Sequence, residues 1–528
     1  MDSIGIHFVD ILIIVLYLAF ISWMGFTASS GHKSADDFFL ASRSLTWPII
    51  GMSLFASNIS TSSLIGLSSS GYKTGISVFN YEWTGSVLMV LFAISIVPYY
   101  LNNKLTTMPE YLERRYDGRS RFYFSVISVL ANVIIDISAA LYASSIVLKA
   151  VFPDVDSSIF ITIMAVISGL YTVAGGLKAV VVTDSIQTVL LTIGTASIAI
   201  LLYQEVGPWS NIVASIEPQY LSLIRPADDA TIPWPTLFIS LPILGFYFLC
   251  ANQHIVQRVL GAKSVDEGRK GAVFAGFLKL LLLFIIVLPG TASQLLYPEL
   301  RESNLVFPNL MFDLLPVGLF GIVLMGFIAA LMSSIDSALT AAATISTMDI
   351  YKKFNPESSD KQLIRIGRIL IMVFVLLASV WTPFIKNFPT LWEYLQAALA
   401  YLIPPVVTCF LFGLFWRKSS PDGAFYALIS GNILGIFIIL NNNLFLLWGD
   451  IHYLYAATII FLFSSIVLVF FSYLSPQEKN TIYIPHPKFI NATRIEQTRK
   501  KDMPWYSDYR FYATLLCLCI ASLVWYFW

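Results

Sequence analysis

Ser57-Asn58-Ile59-Ser60-Thr61-Ser62-Ser63 interrupts an apolar run that extends from about residue 46 to residue 70. Six of these seven side chains are polar. Serine, threonine and asparagine tend to bond nearby backbone instead of continuing a helix, so a helix entering this stretch is expected to stop in it. Within a bilayer such a stop frees carbonyls and amides that lipid cannot satisfy, and it is tolerated only where it lines a protein cavity or a polar path. The stretch therefore predicts a spanning helix that is broken at a functional depth.

The surrounding composition places that stretch in a membrane. The 528 residues are 57% hydrophobic and 12% charged, and the mean hydropathy is +0.74. Soluble domains carry about 25% charged residues. Runs of ~20 apolar residues, enough to cross a ~30 Å core, recur near 8–28, 46–70, 78–101, 122–149, 157–175, 179–203, 235–257, 271–296, 316–348, 363–385, 389–416, 423–441, 444–473 and 509–528. They predict fourteen spans and leave no room for a soluble domain. Basic residues crowd alternate loops, with Lys104, Arg114, Arg115, Arg119 and Arg121 in one and Lys479 through Arg510 in another. The opposite set holds Lys73, Lys149, Arg225, Arg301 and Lys386. By the positive-inside bias both termini face outward, and a plasma membrane, the inner membrane of a bacterium, is the expected location. Trp525, Tyr526 and Trp528 end the last run as interfacial anchors would. Cys250, Cys409, Cys517 and Cys519 fall in apolar runs without metal spacing and read as buried free thiols. The five histidines are scattered.

A second weak point lies in the seventh run, where Pro242 and Gly245 precede Phe246-Tyr247-Phe248. The two breaks open corresponding sets of five spans. Paired broken helices of this kind point to an inverted-repeat transporter with its site at the bilayer midplane. The expected fold class is an all-α integral membrane protein of about fourteen transmembrane helices with two inverted five-helix repeats. Its divisions are 1–45 as an extra N-terminal helix and inner loop, 46–204 as the first repeat, 205–234 as an outer loop, 235–416 as the second repeat and 417–528 as C-terminal helices.

Two further polar features lie at depth. Ala329-Ala330-Leu331-Met332-Ser333-Ser334-Ile335-Asp336-Ser337 puts Ser333 and Ser337 one helical turn apart, flanked by Ser334 and Asp336. Oxygen donors in a row suit a small hard cation. Serines that bond their own helix or a neighbouring one are the competing reading, but an aspartate at mid-helix costs about 2.5–3.5 kcal/mol on insertion scales and asks for a reason. Lys279, inside another apolar run, needs a carboxylate or a hydrogen-bonding ligand nearby, and a purely structural ion pair would also satisfy it.

Other chemistries lack their residues. There is no Gly-x-x-x-x-Gly-Lys-Ser/Thr loop for nucleotide-driven pumping, no Gly-x-Ser-x-Gly or His-Glu-x-x-His for hydrolysis, no basic tract for nucleic acid, and no pore-lining charged repeat. A non-enzyme that moves a solute on an ion gradient remains.

The chain resembles the sodium/solute symporters through Asn58-Ile59-Ser60, Tyr81-Glu82-Trp83, Gly175-Gly176-Leu177-Lys178-Ala179-Val180 with Thr183-Asp184, Gln257-Arg258, Lys279, Ser333-Ser334, Thr347-Met348-Asp349-Ile350-Tyr351 and Gly413-Leu414-Phe415-Trp416. Within that family it is most similar to the sodium/glucose and sodium/galactose cotransporters. The resemblance implies a LeuT-like fold and a sodium ion held by the carbonyls of Ala56, Ile59 and Ala330 with the hydroxyls of Ser333 and Ser334. It also implies a second sodium near Asp184, Asp336 and Ser337, although Asp336 stands where the family more often has Ser or Thr; a protonated Asp336 or a structural salt bridge is the alternative there. The sugar site carries over onto Asn58, Glu82, Lys279 and Gln396, with Ser63, Tyr81, Tyr247 and Phe248 beside them. Glu82 would then compensate Lys279. Ser63 replaces a Gln or His, Gly245 replaces an Asn found in at least one relative, and Phe248 replaces the Tyr lid. A shorter Ser63 reaches less far, which implies bridging water or a hexose that differs from galactose in stereochemistry. The implied function is sodium-coupled import of a hexose such as glucose, galactose or mannose. Alternatives are a cyclitol such as inositol, an acidic sugar, or a sensor that binds without transport. The implied partners are sodium, the sugar and the lipid bilayer.

Overall fold

Helices make up the architecture of the described residues, and one isolated bridge, Leu45 to Ala262, is the sole extended pairing among them. The computed structural model describes residues 7–28, 40–152, 154–387, 391–442, 446–447, 449–475 and 504–528. The side chains of Asp184 and Ser333 lie outside the described residues, as does most of the expected basic loop 474–508.

The labelled helices are α1 (Phe8–Ala28), α2 (Trp47–Asn58), α3 (Thr61–Thr74), α4 (Asn80–Leu91), α5 (Gly118–Leu130), α6 (Ser138–Val151), α7 (Ser157–Val206), α8 (Ser240–Phe246), α9 (Gln253–Leu260), α10 (Val265–Leu282), α11 (Leu288–Ala292), α12 (Leu319–Ile345) and α13 (Asp360–Trp381). They continue as α14 (Leu391–Leu402), α15 (Pro404–Phe415), α16 (Pro421–Leu440), α17 (Tyr453–Leu474) and α18 (Tyr509–Tyr526).

The break expected in the second span is present and narrow. α2 stops at Asn58, Ile59 and Ser60 leave helical dihedrals (φ −90°, ψ 75° and φ −72°, ψ 164°), and the Ser60 side chain caps α3 by accepting from the Ser63 amide at 3.0 Å. The second break is real but displaced. The chain leaves helix at Asn252 (φ −75°, ψ 123°), after a π-helical turn Tyr247–Ala251, and Asn252 caps α9 by accepting from the His254 amide at 3.1 Å. Pro242 and Gly245, the expected breakers, both lie inside α8. Pro242 sits in its first turn, where an absent amide costs little. At Gly245 a Cβ would meet Leu88 Cδ1 at 2.6 Å, so its role is close packing against α4.

The expected count of fourteen spans is not reproduced. Ten helices among the described residues are long and apolar enough to cross a membrane, or eleven with the bent pair Tyr394–Leu402 and Pro404–Phe415. Broken spans leave pieces such as α2 and α9 that are individually too short. The loop expected near Lys178 is also absent, because α7 runs as 50 continuous helical residues through the Gly-Gly pair; glycine weakens a helix by about 1 kcal/mol without forbidding it.

α12 is the central column, packed on α1, α2, α7, α9 and α13. Its start is capped from another helix, since the buried Asp10 of α1 accepts from the amides of Gly318 and Gly321 at 2.8 Å each. That answers the question a carboxylate in the first span raises, because helix N-termini carry unpaired amides and a partial positive charge. α3 and the chain at α11 approach closely at two glycines, and Thr291 donates to the Gly71 carbonyl at 2.9 Å. A Cβ on Gly71 would meet Val287 O at 2.6 Å, and one on Gly290 would meet Ser68 O at 2.4 Å. At the ends that carry the basic residues, the buried Arg115 donates to the carbonyls of Gly413 (2.9 Å), Trp416 (3.0 Å) and Ser419 (3.0 Å), and Arg121 Nε donates to Asp349 at 2.9 Å. These bonds tie early helices to late ones across the bundle. Of the cysteines, Cys250 and Cys409 are buried as expected. Cys517 is exposed and Cys519 half-buried, because α18 packs at the outside of the bundle.

Candidate functional site

The first break, the π-helical turn before the second, the start of α4 and the middle of α12 surround one cavity. Its wall includes Asn58, Ser63, Tyr81, Glu82, Phe248, Lys279 and Gln396, seven of the eight residues that the resemblance assigns to a sugar. Tyr247 is the exception. Its buried ring packs against Phe124 at 6.5 Å and it does not line the cavity, because consecutive residues on a helix face different ways and Phe248 takes the inward position.

Lys279 reaches this wall from α10 and pairs with Glu82 of α4, Nζ to Oε2 at 2.5 Å. Gly85, one turn along α4 from Glu82, gives the lysine room, since a Cβ there would meet Lys279 Cε at 2.9 Å. An ammonium has three donors and a carboxylate about four acceptor sites, so the pair retains hydrogen-bonding capacity toward the cavity. Ser63 spends part of its own locally, donating to the Asn58 carbonyl at 3.1 Å. Tyr81 and Trp392 meet edge to face at 5.5 Å and line both this cavity and a neighbouring vestibule bounded by Lys73, Thr231, Asp450 and His452. The Tyr81 hydroxyl lies 3.1 Å from that of Tyr453 on α17.

Ser334 brings α12 to the same cavity and donates to the Ala330 carbonyl at 2.8 Å. Across from it, the departure of Ile59 and Ser60 from helical dihedrals frees carbonyls of the last turn of α2, Ala56 among them. Ser57 Oγ lies 3.4 Å from Ser337 Oγ, so α2 and α12 face each other at the break. The residues named for a second cation have other neighbours. Asp336 accepts from Thr172 at 2.6 Å, and Ser337 accepts from the guanidinium of the buried Arg258, which also donates to Ser53 at 2.9 Å.

Two titratable residues of the cavity have no place in the sequence-based assignment. Asp136, in the π-helical turn Ala131–Ile137, and His254, at the start of α9, both line the wall, with Oδ2 and Nδ1 3.7 Å apart. Asp136 carries the same signal as Asp336 and Lys279, a charge inside an apolar run. His254 carries none, because a lone histidine does not announce its neighbours.

Comparison with known proteins gives consistent results. The model of the sodium:solute symporter family matches residues 38–431. Sodium/glucose cotransporter 4 of Danio rerio is 32% identical over 510 residues, covering 87% of this chain and 78% of that protein. The sodium/myo-inositol cotransporter of Homo sapiens is 33% identical over 531 residues, covering 88% and 73%. Among solved structures, a substrate-bound, outward-open Na+-coupled sialic acid symporter superposes with a TM-score of 0.78 at 21% identity, over 89% of this chain and 99% of that one. A nucleobase-cation-symport-1 family transporter in a closed conformation gives 0.52 at 14% identity, over 84% and 96%. These neighbours share the LeuT-like fold that the family resemblance implies.

Proposed function

The chain belongs to the sodium:solute symporter family, and we propose that its solute is a neutral monosaccharide, a hexose such as glucose, galactose or mannose, carried by alternating access. The observation that carries this is the buried Glu82–Lys279 pair on the wall of the cavity that Ser334 and the broken α2–α3 helix also reach. A ring of hydroxyls both donates and accepts, so it can complete the hydrogen bonding of the pair together with Asn58 and Gln396, while Phe248 covers an apolar face. Residues 46–204 and 235–416 would be the two inverted repeats. A cyclitol presents the same ring of hydroxyls, and myo-inositol cotransporters are as similar in sequence as the glucose ones.

The sodium ion would bind between α2 and α12 through the carbonyls of Ala56, Ile59 and Ala330 and the hydroxyls of Ser333 and Ser334. One such ion is enough. Ser337, the hydroxyl named for a second, accepts from the Arg258 guanidinium, whose charge works against another cation there. The test is uptake of labelled hexoses and inositol by vesicles containing the purified chain. An imposed sodium gradient is expected to drive transient accumulation with one sodium per solute, and potassium in its place none. Flux indifferent to sodium would overturn the proposal, binding without accumulation would make the chain a sensor, and a flux ratio of two would restore the second ion.

A further inference from the structure

Asp136 and His254 hold chemistry that the hexose site above does not use. His254 is 4% exposed, and its Nδ1 has no hydrogen-bond partner among the described residues. The edge-to-face contact with Phe248 at 5.6 Å keeps the imidazole in place against the cavity. Asp136 retains 18% side-chain exposure on the same wall. Buried ring nitrogens are rarely left unbonded, so a partner from outside the chain is the natural complement.

The spacing defines what that partner is. At 3.7 Å, Nδ1 and Oδ2 are too far apart for a direct hydrogen bond and too close for an atom in line between them. An oxygen set to one side, about 2.8 Å from each, can accept from Nδ1–H and donate to the carboxylate. A hydroxyl does both through one atom. A carboxylate oxygen can accept from the imidazole but has no proton for Asp136, and it brings a like charge. Among the charged side chains lining the cavity, Glu82 and Lys279 offset each other and Asp136 remains as a net negative charge.

We propose that Asp136 and His254 form a specificity subsite that grips one hydroxyl of a neutral polyol and turns away sugars bearing a carboxylate. This rests on the monosaccharide function proposed above. The test is competition against labelled hexose or inositol uptake in vesicles, with glucuronate as the anionic probe. For the wild type, glucuronate at a hundred-fold excess is expected to leave uptake unchanged. Asp136→Asn is expected to weaken the neutral sugar by about ten-fold, the scale of one hydrogen bond to a charged group, and to shift the glucuronate-to-hexose affinity ratio by at least ten-fold toward the anion. His254→Ala is expected to weaken the neutral sugar without that shift, because the Asp136 carboxylate remains on the wall. A merely structural role would move expression and both affinities together. Should Asp136→Asn fail to reach the membrane, the wild type decides alone, since inhibition by glucuronate comparable to that by neutral analogues overturns the subsite. Wild-type uptake with an unmoved ratio in Asp136→Asn overturns the subsite only; no wild-type uptake of any polyol overturns the monosaccharide function and the subsite with it.

Discussion

Lys279 Nζ lies 2.5 Å from Glu82 Oε2, and both side chains are almost wholly buried. Desolvating two charges is costly, and their attraction repays it only while both are present. Lys279→Met leaves Glu82 as an unpaired buried charge and is expected to cost about 3–5 kcal/mol, read as a fall in thermal midpoint of the detergent-solubilised chain. Glu82→Gln combined with Lys279→Gln is expected to recover most of that stability without recovering uptake. Recovery of uptake in the double variant would show that the pair is structural.

Ser334 Oγ faces the cavity from α12, 2.8 Å from the Ala330 carbonyl. If it is a sodium ligand, Ser334→Ala removes one oxygen from the coordination shell while the helix keeps its backbone bonds. The sodium concentration for half-maximal uptake is expected to rise about ten-fold, the scale of ~1.4 kcal/mol. Unaltered sodium dependence would exclude Ser334 from the shell.

These residues show why some of the site was legible in the sequence and some was not. Six short polar side chains around Ile59 decide the break there, so local chemistry sufficed. Proline and glycine are equally local signals, yet Pro242 and Gly245 misplace the second break because position within a helix and packing on Leu88 decide their effect. Asn252, a capping residue, makes the break. The pairing of Lys279 with Glu82 followed from the family resemblance. Arg258 with Ser337 and Asp10 with Gly318 join residues far apart in sequence, and no spacing rule reaches across that distance.

Gly290 approaches Ser68 so closely that a Cβ would lie 2.4 Å from a backbone oxygen and 2.8 Å from the Ser68 Cα. Backbone cannot yield as a flexible side chain would. Gly290→Ala is expected to cost about 1–3 kcal/mol, measured as a lower unfolding midpoint, whereas Gly118→Ala, which meets only the ends of the Lys353 and Glu113 side chains, is expected to cost far less. Equal effects would mean that the α3–α11 seam is looser than described.

Asp229, in the loop before α8, accepts from the Thr231 hydroxyl (2.6 Å), the amides of Thr231 (2.9 Å) and Ile232 (3.0 Å), and Arg225 (2.9 Å). Burial pushes its pKa up, but these bonds outweigh burial and hold the carboxyl down at about 2, below the usual ~3.9. A lowered folded-state value means that the loop gains stability from the charged form. The gain is complete above about 3.9 and is lost as pH falls toward 2. Amide exchange over 225–232, corrected for intrinsic rates, is expected to be flat from pH 8 to 5 and to rise below 4, with the rise absent in Asp229→Asn. A flat wild-type profile down to pH 2 would show that the loop does not depend on this carboxylate.

The central claim is that a cation between α2 and α12 and a solute beside Glu82 and Lys279 bind as linked events. Equilibrium titration of the purified chain tests it without any transport. Solute affinity measured in sodium and in choline, and sodium affinity measured with and without solute, are expected to change in the same direction and by the same factor, five-fold or more, as linkage requires. Solute affinity that is identical in sodium and choline would contradict the coupling, whatever else the chain does.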